Sequence, residues 1–308
     1  MKTLRIYFAD FWKGFNPENN FITTKVNEGN YIIDENPDFL FYSSQGNKHK
    51  NFKNCIKIYF TGENDVPDFN SCDYAISFHP IDFGDRHLRF PLYLLYGDYY
   101  ERIKETKQIL PDLAKRKFCN FVYSNSKLAD PFRELFFREL SKYKKIDSGG
   151  RLLNNIGGPV ADKMSFIQKY KFTIAFENSS VNGYTTEKII EPMRVNSMPV
   201  YWGNPQVDLD FNKESFVWLK DKSKIKEIID YIVFLDENEE EYLSKLSLPW
   251  LTAEQTQKNW DNDFSSFIRN ILSQSPQEAK RAPDYGYTKL IRNREISLVK
   301  KLFSLFKR

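Results

Sequence analysis

The chain is poor in the residues that cross-link a fold or hold a metal. Its three cysteines (Cys55, Cys72, Cys119) are odd in number and show no CxxC spacing, which excludes a disulfide scaffold and a zinc ribbon. Cys55 and Cys119 stand at the starts of strand-like stretches and read as small buried residues in a reducing compartment. The three histidines (His49, His79, His87) share no ligand spacing, so no zinc site is expected. No apolar run approaches the roughly 18 residues of a membrane span. The opening stretch Met1 to Trp12 is interrupted by Asp10 and has no small-residue cleavage site after it. A cytoplasmic location is the expectation. Methionine is also scarce, at 4, whereas phenylalanine reaches 27 and tyrosine 18. Such an excess serves cores built from rings, or ring faces that line a binding cleft.

Charge is unevenly placed. Residues 280–308 carry nine Lys/Arg and two Asp/Glu, a net of +7, and the whole chain carries +4, so residues 1–279 sum to −3. A nucleic-acid surface on the body is therefore not expected. With 308 residues the chain is long for one core and suits two domains. Strand-like segments at Thr3 to Ala9, Phe39 to Tyr42, Lys57 to Phe60 and Tyr74 to Phe78 form a first series, followed by a helical pattern from Pro91 to Leu110. A second series runs strand Phe118 to Tyr123, helix Pro131 to Ser141, strand Lys145 to Ser148 and helix Asp162 to Gln168. Helical patterns follow at Lys222 to Phe234, Glu239 to Leu246 and Glu254 to Ile271. Two successive βα series predict two Rossmann-like parallel-sheet domains facing across a cleft, here 1–112 and 113–279, with a basic tail at 280–308.

The most informative stretch is YKFTIAFENSSVNGYTTEKIIEPMRVNSMPVYWGNP, Tyr170 to Pro205. Lys171 to Phe176 reads as a strand and Glu177 to Tyr184 as a polar turn. Thr185 and Thr186 are placed to cap a helix that begins at Glu187 and carries Ile189, Ile190 and Met193 on one face. Met198 to Tyr201 is a second strand, closed by Gly203-Asn204-Pro205. The turn of such a βαβ unit lies where open α/β sheets bind ligands. Free N–H groups at the helix start, with Lys188 in the first turn, make a phosphate site. Glu187 beside it suits hydrogen bonds from sugar hydroxyls rather than a phosphate contact.

FEN…GYTTEKI…PVYWGNP resembles the donor-site signature of the bacterial α-1,3/4-fucosyltransferases. IYFTGEN (Ile58 to Asn64), DRHLRFPLYL (Asp85 to Leu94), KFCNFVYSN (Lys117 to Asn125), the pair Gly149-Gly150 and DFNKESFV (Asp210 to Val217) resemble that family in the same order. The likeness runs from about residue 55 to 220. It implies the GT-B fold, the first domain binding acceptor and the second GDP-fucose. It further implies inverting transfer of L-fucose from GDP-β-L-fucose to a GlcNAc hydroxyl of N-acetyllactosamine-type glycans, as in Lewis-type structures on lipopolysaccharide. Linkage α-1,3 against α-1,4 stays open.

Inversion needs a base for the acceptor hydroxyl. Glu63, on a Gly-containing turn after an apolar strand, is the candidate, with Asp65 and Asp85 as rivals. Arg86 and Arg89 are acceptor anchors or plain surface charges. The resemblance places Arg133 on the pyrophosphate with Lys188, and Asn178, Tyr184 and Glu187 on ribose, base and fucose. Cations and a helix terminus then replace a metal, with Mn²⁺ at most a stimulant. Asp208-Leu209-Asp210 has the DxD form of metal-dependent enzymes, but it lies in a segment the resembling family keeps without using it for metal. In the tail, Ile296, Leu298, Val299, Leu302, Phe303, Leu305 and Phe306 share one half of a helical wheel and basic and serine residues the other. That pattern fits attachment to an anionic membrane, at the inner face, or a helix packed on the body. Alternatives in function are transfer of another GDP-linked sugar and a non-catalytic sugar-nucleotide or glycan binder.

Overall fold

A computed structural model describes residues 3–26 and 31–283. Two parallel sheets organise them. The first holds β1 (Leu4–Ala9), β2 (Tyr31–Ile33), β3 (Phe39–Tyr42), β4 (Ile56–Phe60), β5 (Tyr74–Ser77) and β6 (His87–Arg89), in the order β2-β1-β3-β4-β5-β6. The chain then passes through α1 (Tyr99–Lys104) into the second sheet. That sheet holds β7 (Lys117–Phe121), β8 (Ile146–Ser148), β9 (Tyr170–Phe176), β10 (Met198–Trp202) and β11 (Val217–Trp218), in the order β11-β10-β9-β7-β8. Its helices are α2 (Phe132–Leu140), α3 (Lys163–Ile167) and α4 (Glu187–Arg194), then α5 (Ile225–Glu237) and α6 (Glu239–Ser247). The chain ends its described part with α7 (Ala253–Thr256), α8 (Trp260–Leu272) and α9 (Pro276–Ala279).

Every residue of β3, β9 and β10 is buried, as expected of parallel strands covered on both faces. The strands absent from the sequence reading, β2, β6 and β11, have two or three residues, too few to show a period. Two helical expectations are corrected. Pro91 to Leu110 is a 3-10 turn at Leu92–Leu95 and the six-residue α1, separated by Gly97 at φ +57°. Glu254 to Ile271 is broken, because Thr252 caps α7 and Asn259 caps α8.

The two domains also exchange segments, which shifts the expected boundaries. Tyr93, Tyr100 and Ile103, expected in the first domain, pack into the core of the second. Phe264, Ile268, Ile271 and Ala279, expected in the second, pack on the first sheet with Ile6, Phe41 and Ile58. Beyond α9 the chain is pinned there: Asp73, buried below β5, accepts hydrogen bonds from the N–H groups of Arg281 (2.9 Å) and Ala282 (2.7 Å). The proposed membrane helix of the tail lies outside the described residues.

Candidate active site

A cavity of about 250 Å³ opens beside α4, between the ends of β7 and β9 and the starts of α2 and α3. Arg133, Asn178, Glu187 and Lys188 all line it, together with Tyr123 and Lys163. Four of the five residues expected on the donor side are thus brought together.

Arg133, at the second residue of α2, is 2% exposed. Its Nη2 donates to Asn178 Oδ1 (2.8 Å) and the Phe176 carbonyl (3.2 Å), and its guanidinium lies 4.0 Å from the centre of the Tyr123 ring. Its Nε is buried and without a hydrogen-bond partner. Lys188 holds a second charge at the first turn of α4. Its Nζ lies 2.9 Å from Thr186 Oγ1, 3.3 Å from Glu177 and 3.4 Å from Glu187. Burial alone would pull its pKa down, but Glu177 and Glu187 hold it well above the usual lysine value. Burial pushes the Glu187 carboxyl up, yet Lys188, Lys163 and local hydrogen bonds outweigh it, so Glu187 is held below its ordinary value. Lys163 pairs in turn with Glu191.

One sequence expectation fails at this helix start. Thr186 stands at the N-cap, but its side chain makes no capping bond. Its hydroxyl donates to Glu177 Oε2 instead (2.8 Å). Glu177 itself, fully buried, and Lys163 were both missed. Glu177 had a visible signal, a carboxylate set directly after a fully apolar strand end. Lys163 had none, because only the tertiary fold carries α3 to the cavity.

Tyr184 does not line the cavity. It is 2% exposed and packs 5.1 Å from Phe78 of the first domain, where Gly183 (φ +82°) lets the turn approach, since a Cβ there would lie 2.5 Å from the Phe78 carbonyl. The turn after β4 meets it from the other side: Asn64 Nδ2 donates to Ser179 Oγ (3.0 Å), and the Glu63 charge acts on the Tyr184 phenol. Glu63 is exposed. Its rivals are engaged elsewhere, Asp65 by the Tyr59 hydroxyl and Asp85 by Arg281.

Arg86 and Arg89 do other work than acceptor anchoring. Arg86 donates to the carbonyls of Phe69, Cys72 and Asp73 and is stacked on Phe69 and Phe83. Arg89 forms a two-pronged pair with Asp210 (2.8 and 2.6 Å) that ties the domains together. The pair also occupies both oxygens of the second DxD carboxylate. Among the described residues no group of three or more His, Cys, Asp or Glu is arranged to hold a metal.

Two open parallel sheets, with a cavity on the second lined by Arg133, Lys163 and Lys188 and the Glu63 turn of the first meeting the loop before α4 through Asn64 and Ser179, define a nucleotide-sugar transferase architecture of the GT-B class. Comparison with known proteins narrows this. Residues 6–96 match the alpha-(1,3)-fucosyltransferase FucT N-terminal domain, and residues 113–281 match the C-terminal region of glycosyltransferase family 10 (fucosyltransferase). The chain belongs to glycosyltransferase family 10. It is 35% identical over 243 residues to the alpha-(1,3)-fucosyltransferase FucT of Helicobacter pylori, covering 68% of this chain and 50% of that protein. Human GDP-fucose protein O-fucosyltransferase 3 is 32% identical over 174 residues, 51% of this chain and 36% of its own. The chain thus spans half the length, or less, of these relatives. A solved alpha1,3-fucosyltransferase with GDP-fucose superposes with a TM-score of 0.74 at 30% identity, over 89% of this chain and 91% of that one. The same enzyme class with GDP gives 0.75 at 28% identity, over 92% and 93%.

Proposed function

We propose that the chain is an inverting α-1,3-fucosyltransferase that moves L-fucose from GDP-β-L-fucose to a GlcNAc hydroxyl of N-acetyllactosamine-type glycans, such as Lewis-type structures on lipopolysaccharide. The observation that supports this reading is that two unlike groups, one from each domain, act on the same phenol, Tyr184: Lys188 from the donor side and Glu63 from the first domain. Arg133 and Lys188 form a buried cationic lining on one side, and Glu63 stands exposed on the turn that closes on Tyr184. A binder has use for the cations but none for an opposed base.

In this reading the acceptor oxygen attacks the anomeric carbon from the face opposite the diphosphate. Its proton passes to Glu63 as the new C–O bond forms and the bond to the diphosphate oxygen breaks. GDP leaves with the bonding electron pair, and Arg133 and Lys188 neutralise the growing charge. Glu187, kept ionised, accepts hydrogen bonds from fucose hydroxyls. Asn178, oriented by Arg133, meets the ribose, while Tyr184, buried outside the cavity against Phe78, shapes the turn that Glu63 approaches. No metal enters this scheme, so turnover is expected to continue in EDTA, with Mn²⁺ at most accelerating product release. The basic tail is proposed to hold the enzyme on an anionic membrane at the cytoplasmic face. Turnover of GDP-fucose against other GDP-sugars, with a panel of type 1 and type 2 disaccharides, tests the proposal. Hydrolysis or transfer of a different GDP-sugar in preference, or none of either, refutes it.

A further inference from the structure

Glu177 is fully buried beside the cavity and has no part in the scheme above. A buried carboxylate is costly unless it is paired and hydrogen-bonded; burial lifts the Glu177 carboxyl above its ordinary value, and Lys188 and two bonds from Thr186 pull against that, one on each oxygen. Oε1 accepts from the Thr186 N–H and Oε2 from the Thr186 hydroxyl, each at 2.8 Å. Its backbone N–H donates to the Trp202 carbonyl (2.8 Å), which fixes the start of the side chain. The space it fills is kept by Gly203, where a Cβ would lie 2.4 Å from Glu177 Cγ and 2.6 Å from its Cβ.

This arrangement acts on Lys188 twice. With its proton given to Glu177, the Thr186 hydroxyl turns a lone pair to Lys188 Nζ at 2.9 Å. The Glu177 carboxylate itself lies 3.3 Å from the same nitrogen. We infer that Glu177 is a positioning residue for Lys188: through Thr186 and by direct pairing it aims the ammonium at the diphosphate of a bound nucleotide. The inference rests on the proposed role of Lys188. A diphosphate would take the place of the longer Glu187 contact (3.4 Å), while Thr186 and Glu177 hold from the protein side. Glu187 is then released toward the sugar.

Other titratable groups face Lys188 as well, the tyrosines among them as neutral phenols. Glu187 and Glu191 lie on its own helix, Tyr184 precedes it, Tyr123 follows β7, and the phenol of Tyr96 reaches in from the first domain. Arg133 and Lys163 line the same cavity. Among these, Glu177 alone combines full burial with a link through Thr186. Replacing its charge should make Lys188 lose its proton at lower pH.

The test is GDP binding by calorimetry from neutral to strongly alkaline pH, with wild type, Glu177→Gln and Thr186→Val. Ionisation of GDP is common to all three. Glu177→Gln is expected to bind GDP roughly 10-fold more weakly at neutral pH and to lose further affinity in the alkaline range where wild type still holds it. Thr186→Val, which leaves the carboxylate and cuts the link, should weaken GDP several-fold, and Thr186→Ser should restore it. If Glu177→Gln does not fold, Thr186→Val with its Ser rescue decides. Identical affinity and alkaline limb in the variants overturn the inference while leaving the fucosyltransferase reading intact. Failure of the wild-type chain to bind GDP overturns both.

Discussion

Arg89→Met should destabilise the protein strongly while sparing the acceptor site. The Arg89 guanidinium is 17% accessible and lies over the Trp260 ring, and the Asp210 carboxylate it grips is 0% accessible. Removing the arginine leaves a buried carboxylate with its main partner gone, which costs about 3–5 kcal/mol. A domain of this size is stabilised by about 5–15 kcal/mol in total, so the loss should lower Tm by on the order of 10 °C. The double variant Arg89→Met/Asp210→Leu replaces both charges with apolar groups of similar volume. It should recover most of that loss, since the gain of a buried pair over an apolar one is small. Calorimetric or circular-dichroism melts of the four proteins in the cycle measure the coupling directly. A single variant melting within about 1 °C of wild type, or a double no better than the single, refutes the assignment. A raised KM for the acceptor with unchanged melting would return Arg89 to the acceptor role read from the sequence.

Further outcomes follow from the same geometry. Glu63→Gln is expected to lower kcat by ~10²–10⁴ while GDP affinity stays within a few-fold of wild type; near-normal kcat removes Glu63 as the base. Arg133→Lys keeps the charge but loses the planar guanidinium, which donates to Asn125 through Nη1 and to Asn178 and Phe176 through Nη2 and lies over Tyr123, so GDP affinity measured by titration should fall by about tenfold or more. Lys188→Ala should weaken GDP binding and lower kcat/KM together, and unchanged affinity in both variants refutes the diphosphate assignment. Removal of residues 285–308 should leave activity on soluble disaccharides and abolish salt-sensitive co-sedimentation with anionic liposomes. Unfolding on truncation would instead make the tail part of the fold.

The central strands were legible because parallel sheets bury both faces. Phe39 to Tyr42 and Tyr170 to Phe176 are near-continuous apolar runs that no loop would carry. The edge strands β2, β6 and β11 were not, since two or three paired residues leave no period, whereas the edge strand β8 was read within Lys145 to Ser148. Lys188 and Glu187 were read from the start of a helix in a βαβ unit, Arg133 and Asn178 from likeness of motif, and the fold does bring all four to one cavity. What a motif cannot supply is the direction of a hydroxyl or a guanidinium. Thr186 has the composition of a helix cap, but a buried carboxylate nine residues earlier competes for its proton and wins. Arg86 and Arg89, two charges three residues apart, looked alike in sequence. One is spent on three carbonyls of its own domain and the other on a carboxylate 121 residues away.

The exchange of segments between the domains bears on how the molecule is made. The first sheet leaves the ribosome early, yet α8, whose Phe264 and Ile268 fill its core, is translated some 180 residues after β5. Until then the apolar face carrying Ile6, Phe41 and Ile58 is covered only in part, by residues such as Ile22, Val26 and Phe90 of its own domain, while the second domain already has every strand of its sheet. The later domain in sequence can therefore be the earlier one to mature. Recombining halves of related enzymes at residue 112 would graft a first domain without its own helix, whereas moving 253–283 together with the N-terminal part keeps it whole.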